Sequence, residues 1–165
     1  MSQNIILSNQ QIEFKIRRIA YQIYESFINE EAVVIAGIIG NGFILAEKIA
    51  TELRNISVIN VIICEVFIDK KNPMNNVSTS LESSAYENKG LILVDDVLNS
   101  GATLIYGVKH FLNVNLKSFK TAVLVDRNHK KFPIKADFKG LSLSTSLSEN
   151  IQVVFNEANN YAYLE

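Results

Sequence analysis

Four short segments of this chain, Ala32–Ala36, Val58–Phe67, Leu91–Val94 and Phe119–Val125, contain runs of consecutive apolar residues rather than a strict apolar–polar alternation. A strand with one wet face alternates apolar and polar residues, because successive side chains point to opposite faces. Strands without that alternation must be covered on both sides. Between them lie helical patterns, at roughly residues 9–29, Phe43–Leu53 and Thr103–Leu112. The first helix opens on Ser8 and Gln11, a capping-box pair, and repeats Ile12, Ile16, Ile19, Ala20, Ile23 and Phe27 at helical spacing. Strands alternating with helices predict an α/β fold with a central, mostly parallel sheet flanked by helices. The tail adds three short apolar runs, Ala136–Phe138, Ile151–Phe155 and Tyr161–Leu164.

With 165 residues, 48% of them apolar and 20% charged, the chain has the balance of one globular domain. No apolar run is long enough to span a bilayer, and the start, MSQNIILSNQQ, lacks the pattern of a signal peptide. The cytoplasm is the expected location. The one cysteine, Cys64, sits in an apolar run and is expected to be a buried structural thiol. A net charge of −1 gives no general attraction to nucleic acid.

In a parallel sheet covered by helices, ligands bind beyond the carboxyl ends of the strands. Three segments fall there: Gly37–Gly42, Asp95–Thr103 and Asp126–Lys131. The second is the most informative. In LILVDDVLNSGATL (Leu91–Leu104) an apolar strand runs into two carboxylates, Asp95 and Asp96, and then into a small polar turn that opens a helix. Free N–H groups at a helix start hold an anion, helped by the Ser100 and Thr103 hydroxyls and the close approach Gly101 permits. Carboxylates beside an anion cradle would repel a bare phosphate. They suit a ligand that also brings hydroxyls or a cation, such as a ribose phosphate with Mg²⁺. The plainer reading is a helix cap followed by a tight turn. A nucleotide P-loop is excluded, and GIIGNG (Gly37–Gly42) has its glycines in the wrong order for a dinucleotide fingerprint. Residues 69–90 form a long Asn- and Ser-rich loop, the composition of a lid.

The run LILVDDVLNSGATL resembles the phosphoribosyl-pyrophosphate (PRPP) signature of type I phosphoribosyltransferases. AVLVDRNHKKFPIKADFKGLSLSTSLSE (Ala122–Glu149) is similar to the corresponding stretch of the PyrR family of pyrimidine operon attenuators and uracil phosphoribosyltransferases, as is the helix IEFKIRRIAYQI (Ile12–Ile23). The resemblance implies the type I phosphoribosyltransferase fold with a small hood. It also implies transfer of a 5-phosphoribosyl group from PRPP to a pyrimidine, uracil first, with Mg²⁺ and release of pyrophosphate. On this chain it assigns catalysis to Asp95 and Asp96, and the 5-phosphate to Asn99, Ser100, Gly101, Ala102 and Thr103. The pyrophosphate loop would be Gly37, Gly40, Asn41 and Gly42, and the base pocket Val125, Asp126, Arg127 and Asn128. The loop at 69–90 would close over the site. No protein ligand to the metal is assigned directly; Mg²⁺ would arrive with PRPP near the acidic pair.

The chain also departs from the pattern. The family's pyrophosphate loop reads Gly-Ile-Lys-Thr-Arg-Gly, whereas here both cations and the threonine are replaced, by Ile39, Asn41 and Gly40. An arginine at the start of the mobile loop is matched by Ile68, with Lys70 and Lys71 following as the available replacements. A nucleotide- or PRPP-sensing regulator with impaired turnover therefore stands beside the enzyme. A third reading is an RNA-binding attenuator, whose basic face would be Arg17, Arg18, His129, Lys130, Lys131 and Lys135. Tyr21 and Leu141 replace basic positions of that face, and solvated surface charge is the alternative. His110 is expected to be a surface or packing residue. The family's habit of self-association makes a homo-oligomer the expected state.

Overall fold

The computed structural model describes residues 3–165. Its main sheet contains β2 (Ala32–Ile38), β3 (Asn60–Phe67), β4 (Ser78–Thr79), β5 (Gly90–Leu98), β6 (Ser118–Asp126) and β7 (Phe138–Ser142), in the order β4-β3-β2-β5-β6-β7. All neighbours are parallel except β3 and β4. Helices α1 (Asn9–Ser26) and α2 (Asn41–Ile56) pack on one face, and α3 (Ala102–Phe111) on the other. β1 (Asn4–Leu7), β8 (Ile151–Val154) and β9 (Tyr161–Leu164) form a second, antiparallel sheet in the order β1-β9-β8. This small sheet is the hood.

The continuous apolar strands have the expected cause. In β5, Ile92 and Val94 enter the core under α1 and α2, while Leu91 and Leu93 enter the core under α3. β2 divides likewise, Val33 and Ile35 against Val34, Ala36 and Ile38. Cys64 is buried in the α3-side core, and burial pushes its thiol pKa up, so it is a packing residue.

The chain leaves β2 toward β3 on one side and leaves β5 toward β6 on the other. The crevice beyond β2 and β5 is therefore the switch point of the sheet, where parallel α/β proteins bind ligands. Three boundaries differ from the sequence expectation. β5 continues through the acidic pair to Leu98, because Val97 and Leu98 still pair with Val125 and Asp126 of β6. The 69–90 loop is partly regular, holding β4 and one 3₁₀ turn at Ser83–Ala85. β1 lay outside the predicted elements; its short polar-flanked run is a strand because β9 supplies its ladder.

Candidate functional site

The acidic pair stands on the last half of β5. Asp95 is 4% exposed, and its Oδ1 accepts the Asp96 N–H at 2.9 Å. Lys70 reaches across from the loop after β3, its Nζ 3.1 Å from Asp95 Oδ1 and 4.0 Å from Asp96 Oδ1. Burial, then the neighbouring charge of Asp96, push the Asp95 pKa up to about 7, and Lys70 pulls in the opposite direction. The space for this carboxylate exists because residue 42 is glycine. A Cβ there would lie 2.9 Å from Asp95 Oδ1 and 3.0 Å from the Val94 carbonyl.

The turn after β5 leads into α3 through Gly101, whose φ of +86° is in the left-handed region. A side chain there would also strike Ile134, 2.4 Å from its Cβ position. Ser100 Oγ accepts the Ala102 N–H at 3.2 Å, and the Ser100 carbonyl takes N–H groups from Lys131 and Phe132. The N-cap residue, Gly101, offers no side-chain cap to α3. Apart from the Ala102 N–H held by Ser100, the first-turn amides thus remain available to an anion.

These parts share one cavity of about 370 Å³. Lys70, Asp95 and Asp96 line one end, Asn99, Ser100, Gly101, Ala102 and Thr103 the other, and the hood closes it with Asn150, Ile151 and Gln152. All five residues expected at the 5-phosphate line this cavity. The hood residues had no motif to announce them; their only sequence signal was the short apolar run beginning at Ile151.

The other expected site residues divide. Gly37, Gly40, Asn41 and Gly42 lie at the end of β2 and the start of α2; none lines the cavity, and Gly42 packs against Asp95. Asn41 Nδ2 donates to Asp96 Oδ2 at 3.1 Å and to the Val153 carbonyl of the hood at 2.8 Å. In this chain the side chain thus joins the acidic pair to the hood. Lys71 is exposed and does not line the cavity, in contrast to Lys70. Ile68, at the arginine position, is buried in the core.

Of the residues expected at the base, Val125, Asp126, Arg127 and Asn128, none lines this cavity. Val125 is core, and Asp126 is buried between Lys130 and Lys139, each 3.6 Å away. Arg127 donates to Thr145 Oγ1 at 2.7 Å, to the Ser146 carbonyl at 2.9 Å and to Asn150 Oδ1 at 3.4 Å. It positions the segment that carries Asn150 to the cavity. Asn128 bonds Asp126 and Ser142.

Several residues of the expected basic face have partners within the chain. Arg17 pairs with Glu52 at 3.7 Å, Lys130 with Asp126, and Lys135 with Asp137 at 3.5 Å. Arg18 donates to the Lys139 and Gly140 carbonyls of β7, covering part of an edge strand. His129 is half-buried and Lys131 exposed. His110 packs edge-on to Phe111, and burial pushes its pKa down, which suits a packing role.

A phosphate cradle, two carboxylates and a hood at the switch point of a parallel sheet define a class. Residues 2–158 match the family model described as Phosphoribosyl transferase domain, and the chain belongs to the phosphoribosyl transferase family. It is similar to the bifunctional protein PyrR of Fusobacterium nucleatum subsp. nucleatum, 33% identical over 161 residues that span 93% of this chain and 91% of that protein. The bifunctional protein PyrR of Streptococcus thermophilus is 33% identical over 162 residues, 95% of this chain and 92% of that protein. Among solved structures, the hypoxanthine phosphoribosyltransferase of Trypanosoma cruzi aligns with a TM-score of 0.76 at 16% identity, covering 98% and 97% of the two chains. A hypoxanthine-guanine phosphoribosyltransferase of Bacillus anthracis aligns with a TM-score of 0.70 at 24% identity, covering 87% and 85%. Those two likenesses speak to fold alone, and the fold is that of the type I phosphoribosyltransferases. Among the described residues no helix is long and apolar enough to cross a membrane.

Proposed function

We propose that this chain transfers the 5-phosphoribosyl group of PRPP to a pyrimidine, with uracil as the first acceptor to test, giving UMP and pyrophosphate. The observation that carries the reading is the shared cavity, with a buried acidic pair at one end and an open helix N-terminus at the other. In this reading the first turn of α3 takes the 5-phosphate, and Asp95 and Asp96 accept the ribose hydroxyls. They also stabilise positive charge on the sugar as the bond to pyrophosphate breaks and the bond to the base nitrogen forms. The nitrogen's proton passes to solvent or the leaving group. The residues Asn150 and Gln152 line the cavity and offer side-chain amides to a base edge.

Two carboxylates fit Mg²⁺ brought in by PRPP, since this ion is commonly held by one or two carboxylates and substrate phosphates. When bound it would neutralise charge on the pyrophosphate. Lys70 is the side chain placed to replace the loop cations: it is already in the cavity and 44% exposed.

One observation favours the second reading, a PRPP or UMP sensor: Asn41 is engaged with Asp96 and the hood and offers no charge to pyrophosphate. Pyrophosphate release from PRPP and Mg²⁺ with uracil, beside a panel of other bases, separates the two. Uracil-dependent release that disappears in Asp96→Asn supports the enzyme. No release with any base, while UMP raises the melting temperature, supports the sensor. Neither release nor a shift would overturn both.

A further inference from the structure

Glu13, Ile16 and Arg17 on α1, and Ile44, Glu47 and Thr51 on α2, recur at three- and four-residue spacing, so each set falls on one face of its helix. Together they wall a second concavity of about 470 Å³, closed at one end by Asn160, the residue before β9. A smaller lobe of about 250 Å³ continues toward Phe155 of the hood. The two lobes share Ile44, Lys48 and Asn160 and so form one groove. None of its residues lines the cavity that holds the acidic pair.

Asn160 is 8% exposed, and its side-chain oxygen has no hydrogen-bond partner among the described residues. Its neighbours decide which end of the amide is left over. Glu13 Oε1 can only accept, so it takes Asn9 Nδ2, at 3.0 Å. That turns Asn9 Oδ1 toward Asn160, where it accepts both the backbone N–H and Nδ2, each at 2.9 Å. Asn160 Oδ1 is the end without a donor. A buried acceptor in that state costs free energy that a bound donor recovers.

The charges of the groove say what kind of donor fits. Arg17 and Glu52 pair with each other at 3.7 Å, and Lys48 Nζ stands 5.7 Å over the Phe155 ring. Glu13 and Glu47 form no ion pair among the described residues. Two open carboxylates and an open carbonyl oxygen call for a cationic donor and repel an anion. Ile16 and Ile44 add apolar surface between them, which suits an alkyl stem.

We propose that this groove binds a linear aliphatic polyamine. One ammonium donates to Asn160 Oδ1 beside Glu13, the methylene chain lies along Ile16 and Ile44, and a second ammonium meets Glu47. The groove and the cavity share no residue, so amine binding does not depend on turnover.

Isothermal titration calorimetry of the full chain with spermidine tests the site. One site saturates with a Kd of about 10⁻⁴ M, the affinity expected of so small a ligand, and n-butylamine, with one ammonium, binds at least about tenfold more weakly. Glu47→Gln, at an exposed residue, weakens spermidine about fivefold with an unchanged melting temperature. Asn160→Ala weakens it about tenfold or more. If that variant fails to fold, Glu47→Gln still decides. Asp96→Asn leaves the affinity unchanged. Binding that does not saturate, or that is indifferent to Glu47→Gln, overturns the proposal. So does binding lost in Asp96→Asn, which would put the amine at the acidic pair instead. No binding by any amine would leave the Asn160 oxygen to an ordered water, and equally overturn it.

Discussion

The two ends of the cavity were built by different routes. At the proposed phosphate end the turn and the helix start follow directly on the strand that leads into them, in one run, Leu91–Leu104, so local chain geometry sets their spacing. At the pyrophosphate end the parts come from far apart in the chain. Lys70 arrives from the loop after β3, Asn41 from the start of α2, and Asn150 to Gln152 from the hood. The first end depends on backbone conformation, the second on side chains holding one another across gaps.

The largest expected effect is at the acidic pair. Asp96→Asn removes a charge facing the reacting sugar, and turnover should fall by about 10²–10³-fold, the scale for losing one preorganised electrostatic contact. UMP binding, which relies on the α3 turn, should change far less. Turnover measured beside UMP affinity checks this, and an equal loss in both would mean the two ends are not separable.

Next is a pH effect from Asp95. Its pKa in the ligand-free fold is raised to about 7 from an ordinary 3.8, so the folded state holds a proton that the unfolded chain has released. Stability is then greatest below about pH 4 as far as this group is concerned, and declines as pH rises toward 7. The full decline is on the order of 2–4 kcal/mol, and Asp95→Asn should flatten it. Urea midpoints at several pH values, wild type against variant, give the comparison. A wild-type stability that rises through this window, with no difference in the variant, would refute the assigned burial.

Lys70→Ala should weaken PRPP binding by about 10–100-fold, the value of a charge-assisted contact of about 1.5–3 kcal/mol, whereas Lys71→Ala should leave it unchanged. The two lysines are neighbours in sequence and only one lines the cavity. Equal effects of the two would mean the loop closes in a different register when substrate binds.

That contrast marks where sequence stops being informative. The sheet and its helices were legible because burial on both faces leaves a local trace, a run of apolar residues. The turn after β5 was legible as a candidate anion cradle because its chemistry is contiguous. The surroundings of residues 125–128 were not, because Arg127 and Asp126 look the same in sequence whether they touch a ligand or anchor a loop; only the fold shows Arg127 turned to Thr145 and Ser146. The same holds for Arg18, which sequence offers as a surface cation and the fold uses on β7. Strand β1 left little trace since its pairing partner lies at the other end of the chain.

The smallest expected effect is at Asn41, and it tests the second end most directly. The side chain makes two hydrogen bonds, one to Asp96 and one to the hood, each worth about 1 kcal/mol net. Asn41→Ala should lower stability by about 1–2 kcal/mol, and should raise KM for the base more than it lowers kcat, because the hood loses a tether while the carboxylates stay. Asn41→Asp keeps the size but sets a third carboxylate against Asp96, so it should be the worse variant for PRPP. Asn41→Arg restores a cation to the loop at the expense of the tether. If it tightens PRPP without weakening base binding, the hood is held by its own sheet, and Asn41 is only a filler where a charge once stood. If it tightens PRPP and loosens the base, the two ends of the cavity compete for this one side chain.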